Sequence, residues 1–127
     1  MERIYIEKTE STPLVDFDFD EGKFTLKGES YPENVSSFYG EIFERLQAYV
    51  EATSDKDILV EIELIYFNSS SVKAIMNFLD LMEELAEKGN RVKIIWLYEE
   101  DDETIMEFGE EFSEDLEAVE FILKEIG

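Results

Sequence analysis

The chain has 127 residues, 44% of them hydrophobic, and carries 33 acidic against 11 basic side chains for a formal net charge of −22. It contains neither His nor Cys, which removes the commonest general base, the usual soft-metal ligands and the thiolate nucleophile. So large an acidic excess argues against nucleic acid and anionic lipid as partners and for proteins with a basic face, although such charge also serves solubility alone.

Ile4 and Ile6, then Val15, Phe17 and Phe19, then Phe24 and Leu26 alternate with polar residues. This predicts three short strands, the last two a hairpin turning at Glu21-Gly22. Asp16, Asp18 and Asp20 open a D-x-D-x-D pattern. A calcium loop needs Gly at its sixth position and Glu at its twelfth, where this chain has Glu21 and Lys27, so the three aspartates read as the wet face of a strand. Ser30 and Pro32 resemble a helix start. Val35, Phe38, Tyr39, Ile42, Phe43, Leu46 and Val50 follow at helical spacing and predict a helix through Ala52.

A polar connection, Ser54 to Asp57, leads into a fourth strand, Ile58 to Phe67. Ile58, Val60, Ile62 and Leu64 take one face and Glu61 and Glu63 the other, so one side of the sheet is partly wet and helices are expected on its opposite side. Val72, Ile75, Met76, Leu79, Met82, Leu85 and Ala86 define a second amphipathic helix, closed by Gly89-Asn90. Strand five is Val92 to Tyr98, and this strand, helix, strand order predicts a parallel pair with a right-handed crossover. Glu99 to Glu103 lead into a third helix bearing Ile105, Met106, Phe108 and Phe112, with acids suited to its positive end. Val119 to Lys124 admits both strand and helix, and the alternation of Val119, Phe121 and Leu123 favours strand.

No repeat or low-complexity linker divides the chain, no apolar run approaches the roughly 20 residues of a membrane span, and the start MERIYIEK is unlike a secretory signal. The expectation is a single α/β domain over residues 1–127, soluble and cytoplasmic, with a mixed sheet of five or six strands and three helices mainly on one face.

The junction after strand four is the place where chemistry is most readily done to this protein. Asn68 or Ser69 is suited to cap the second helix, and taken alone a serine here more often caps than accepts a phosphate. The segment nevertheless lies at the C-terminal end of a strand and at a helix N-terminus, where N–H groups and the dipole favour an anion. A phosphoryl group there adds roughly 1.5 to 2 negative charges at pH 7. No base adjoins Ser69, and Lys73 stands in an S-x-x-K relation to Ser70 that is frequent by chance on a helix, so acyl transfer is not supported.

Five segments, STPLVDFD (Ser11 to Asp18), GESYPEN (Gly28 to Asn34), YFNSSSVK (Tyr66 to Lys73), WLYEEDDE (Trp96 to Glu103) and GEEF (Gly109 to Phe112), resemble in order the signatures of the SiaC-type biofilm-regulation phosphoproteins. The resemblance spans nearly the whole chain. It implies a fold similar to the STAS domains of anti-sigma-factor antagonists and a non-enzymatic, cofactor-free switch. In such proteins a serine/threonine kinase adds a phosphate, a PP2C-like phosphatase removes it, and the unmodified form activates a diguanylate cyclase and raises cyclic-di-GMP. Carried onto this chain, the acceptor is Ser69, where the family often has Thr, with Ser70 as the second choice. Tyr66, Asn68, Ser70, Ser71 and Lys73 are the residues expected to face partners. Tyr66 and Phe67 read as core aromatics or as the border of that surface, which Glu99 to Glu103 also adjoin.

Two other classes stay open on the residues alone: an acidic interaction module that is never modified, and a metal enzyme built on Asp101, Asp102 and Glu103. Consecutive acids at a helix start diverge around the axis, which works against the second.

Overall fold

The computed structural model describes all 127 residues. Nine elements run in the order β1 (Ile4–Ile6), β2 (Leu14–Asp18), β3 (Lys23–Ser30), α1 (Val35–Ala52), β4 (Asp57–Phe67), α2 (Ser69–Glu87), β5 (Arg91–Glu99), α3 (Glu103–Ser113) and β6 (Glu120–Ile126). The strands form one sheet in sequence order. β2 runs antiparallel to both of its neighbours, β1 and β3, and β3, β4, β5 and β6 are parallel, each parallel step crossing through one helix. Right-handed crossovers that always advance in the same direction leave every helix on the same face. The expected α/β fold, with its mixed sheet and three helices to one side, is the one observed.

The β2–β3 hairpin turns at Gly22, whose φ is +69°. A Cβ there would lie 2.5 Å from the Asp57 carbonyl oxygen, so glycine is required twice over. The inward residues of the strands, among them Phe17, Phe24 and Ile62, join one buried core with Leu46, Tyr49, Phe78, Met82 and others of α1 and α2, and Trp96 meets α3, donating its indole N–H to the Ile105 carbonyl at 2.9 Å. Aromatic rings fill the space under the hairpin, with Phe17 to Phe24 at 5.2 Å, Phe17 to Phe78 at 5.5 Å and Phe19 to Tyr49 at 4.9 Å. On the opposite, uncovered face Glu61 and Glu63 meet Lys23 and Lys27 across the strands at 3.4 and 3.9 Å. These exposed pairs keep the face wet and contribute little to stability.

The first helix departs from expectation at its start. Its cap is Asn34, whose side chain accepts the Ser37 N–H at 3.0 Å, and not Ser30 or Pro32. Ser30 remains in β3 opposite Phe67 and is fully buried; the sheet ladder outcompetes the local turn signal. The C-terminal segment is a strand, parallel to β5, as its alternation favoured. No helix is long and apolar enough to cross a membrane.

Candidate functional site

β4 determines how the hydroxyl segment is presented. Ile58, Val60, Ile62 and Leu64 all face the helices, and then the register with β3 slips. Gly28 lies opposite Leu64 but Glu29 lies opposite Tyr66, so Ile65 has no counterpart. One extra residue reverses the alternation beyond it. Phe67 therefore turns inward, 7% exposed, while Tyr66 turns outward at 49%, where its ring meets Tyr31 edge-on at 5.6 Å. Of the two aromatics, Phe67 is core and Tyr66 is surface.

The chain then enters α2. Asn68 is extended, and its side-chain oxygen accepts the Ser71 N–H at 3.0 Å. Asn68, not Ser69, is the cap. Ser69 and Ser70 are the first two helical residues, and both are exposed. Their N–H groups have no carbonyl four residues back within the helix, and they stand at its positive end.

Ser71 has the same chemistry and the opposite fate. It heads the buried stripe of α2 that continues through Ala74, Ile75 and Phe78, and it has no exposed surface. Its Oγ accepts a hydrogen bond from Ser30 Oγ at 2.9 Å. Because that uses the only Ser30 hydroxyl proton, the Tyr39 hydroxyl is the donor in its 2.6 Å bond to Ser30. Burial pushes the Tyr39 phenol above its ordinary value, partly opposed by the bond to Ser30, and this keeps it a neutral donor. The chain of hydroxyls ties the end of β3 and α1 to the first turn of α2. Ser71 is thus not a partner-facing residue, since its helical position turns it to the sheet.

Lys73 is exposed. With Ser69, Ser70 and Asn77 it borders a groove of about 590 Å³ whose other wall is the first half of α1, and it is the one cation lining that groove. Sequence reasoning missed Ser30 and Tyr39 as the floor of the site. The signal for Ser30 was present, because period-two alternation from Phe24 through Leu26 and Gly28 lands on it. Tyr39 was read only as part of an apolar stripe, although a buried phenol requires a partner.

The acidic clusters are otherwise engaged. Asp102 caps α3 by accepting the Ile105 N–H at 3.1 Å, and Asp101 and Glu103 point into solvent. Asp16 takes two bonds from the Arg3 guanidinium, at 2.7 and 2.8 Å, which hold its carboxyl below the usual range. Asp18 closes the hairpin turn through the Glu21 N–H at 3.1 Å. No three carboxylates converge on a point that could hold an ion.

Residues 6–126 match the family described as SiaC family regulatory phosphoprotein. An uncharacterized protein of Pseudomonas aeruginosa (strain UCBPP-PA14) is 35% identical over 115 residues, covering 91% of this chain and 90% of its own. The structure of SiaC of Pseudomonas aeruginosa superposes with a TM-score of 0.88 at 32% identity, over 99% of this chain and 100% of that one. A second match, also at TM-score 0.88 and 32% identity, comes from the crystal structure of the diguanylate cyclase SiaD in complex with its activator SiaC from the same organism, over 97% of this chain and 99% of that one.

Proposed function

The chain belongs to the SiaC family of regulatory phosphoproteins, and from that premise we propose that it is a cytoplasmic, non-catalytic switch whose Ser69 is reversibly phosphorylated. The unmodified form binds and activates a diguanylate cyclase; a serine/threonine kinase adds the phosphate and a PP2C-like phosphatase removes it. One observation narrows the choice of residue. Of three consecutive serines, Ser71 is locked in a buried hydroxyl chain, while Ser69 and Ser70 stand exposed in the first turn of α2 after the Asn68 cap, and the family resemblance favours Ser69 with Ser70 as the second choice.

The geometry supports the chemistry in two ways. A phosphoryl group on Ser69 meets unpartnered first-turn amides, the helix dipole and Lys73 one turn on, so it is accommodated without unfolding α2. Three residues before Ser69 in the chain, Tyr66 and its edge-on partner Tyr31 present exposed aromatic rings. A dianion on this end of the molecule adds to any docking surface there a charge that a partner must desolvate at a large penalty. The companion SiaC is named as the activator of SiaD in their complex, which supports a cyclase as the target.

The test compares unmodified and phosphorylated chain, with the phosphate located by mass spectrometry, for binding to the diguanylate cyclase of the same organism and for cyclic-di-GMP produced. Phosphate on Ser69 should abolish activation, and Ser69→Ala should activate while resisting the kinase. Ser69→Asp, with one charge and fewer oxygens, should mimic phosphate only in part. Equal activation by both forms overturns the switch and leaves an acidic interaction module that needs no modification.

A further inference from the structure

The groove between α2 and α3 lies on the side of α2 away from α1 and has no part in the buried hydroxyl chain. Its volume is about 200 Å³, and Val72, Met76 and Leu79 of α2 face Phe108 and Phe112 of α3 across it. Met76 is 45% exposed and is the one large apolar side chain in any helix of this protein to stand so far out of the core. The walls are firmly based. Phe67 packs beneath Phe108 at 4.9 Å, and Trp96 meets Phe112 at 5.6 Å. α3 is pressed onto the sheet through Gly109, where a Cβ would come within 2.5 Å of Trp96 and 2.6 Å of Leu123. The groove is therefore a fixed feature between two anchored helices and does not close by α3 sliding inward.

The rim has one sign. Asp80, Glu111 and Asp115 border the apolar floor, and from Ile94 to Leu123 the chain contains no lysine or arginine. An apolar trough between helices, rimmed by uncompensated carboxylates on a chain of net charge −22, is complementary to an amphipathic helix whose apolar stripe is flanked by Lys or Arg. From Val72 to Leu79 the floor extends about 10 Å along α2, two helical turns, which matches apolar anchors four and seven residues apart on the incoming helix. Met76, unbranched and flexible, is suited to conform to more than one anchor shape.

We propose that the α2–α3 groove is a docking site for a basic-flanked amphipathic helix of a partner protein, separate from the phosphate site and independent of modification at Ser69. The test titrates isotope-labelled, unmodified full-length chain with three stapled helical peptides that share one leucine face and carry lysine, glutamine or glutamate flanks. The lysine peptide should bind about tenfold tighter than the glutamate peptide at low salt, an advantage that shrinks as salt is raised. Amide shifts should centre on Val72, Met76, Phe108 and Phe112. Met76→Gln should weaken binding about tenfold, Asp80→Asn with Glu111→Gln and Asp115→Asn should sharply reduce the preference for lysine, and Ser69→Asp, which places a negative charge at the modification site, should change neither by more than about twofold. No binding, equal binding of all three peptides, or shifts centred on the α1–α2 groove or the open sheet face would overturn the proposal. Kinase and cyclase are absent from this titration, so its failure leaves the phosphate switch standing, and failure of the switch leaves the groove standing.

Discussion

At the N-terminal end of β4 the side chains that close the loops are tied to the backbone by several hydrogen bonds each, whereas at its C-terminal end two adjacent serines keep their hydroxyls free. Asn90, 6% exposed, accepts the Lys56 N–H at 3.0 Å and donates to the carbonyls of Thr53 and Leu85 at 3.0 and 2.7 Å. The Lys56 ammonium completes the carbonyls of Phe19 and Asp20 at 2.7 and 2.8 Å. At the other end the same economy holds only underneath, in the Tyr39, Ser30 and Ser71 chain. Above it, Ser69, Ser70, Tyr66 and Lys73 face solvent. The contrast separates scaffold from site: a group can be modified without unfolding the protein only where the layer beneath it is already satisfied.

Asn90→Ala should show the largest effect, because it leaves two carbonyls and one N–H, one of them buried and the others half-buried, short of a partner. A loss of about 3 kcal/mol in a urea unfolding curve is expected. Ser71→Ala should cost about 1 to 2 kcal/mol, by removing the acceptor of the buried Ser30 hydroxyl. If Ser71→Ala proved neutral, the floor would not be what holds the first turn of α2. The same floor is visible in an alkaline titration followed by tyrosine absorbance. Burial raises the Tyr39 phenol, so it should ionise after the exposed tyrosines. Stability is then unaffected below the unfolded phenol value of about 10 and falls as pH rises from there through the higher folded value.

The framework that carries this contrast was legible in the residues, but the hydrogen bonds of Asn90 and Lys56 were not. The alternation Ile58, Val60, Ile62, Leu64 fixed which face of β4 meets the helices, and the order of strands and helices fixed the crossovers. The orientation of Tyr66 and Phe67 was not legible, because a bulge depends on the neighbouring strand: only pairing with β3 shows that Ile65 is passed over. The fate of Ser71 was hidden for a related reason. Three identical side chains in a row differ solely by helical phase, and that phase was set once Asn68 took the cap. The start of α1 was misread at Ser30 because local turn chemistry carries no knowledge that β3 continues to pair with β4.

Asn68→Ala bears on the boundary between the two layers and should cost about 1 kcal/mol, the ordinary value of a lost N-cap. It should also loosen hydrogen-exchange protection in the first turn of α2 while leaving the Asn90 loop unchanged. Equal loosening at both ends would mean that α2 transmits strain along its length and that the two ends are not independent.

The smallest expected effect is the most discriminating. Ser69→Asp adds an anion where the helix dipole favours one, a gain of about 0.3 to 1 kcal/mol at an exposed first turn. The net charge of −22 opposes this by general repulsion. That repulsion acts over longer distances than the dipole, and a Debye length of about 8 Å at physiological salt removes more of it than of the contact with the first-turn amides. The variant should therefore be near neutral at low salt and slightly more stable than the parent at physiological salt, as read from thermal midpoints at the two ionic strengths. A destabilisation comparable to that of Ser71→Ala would show that position 69 cannot hold an anion within the folded helix, and Ser70, the other exposed serine, would then replace Ser69 as the point of modification.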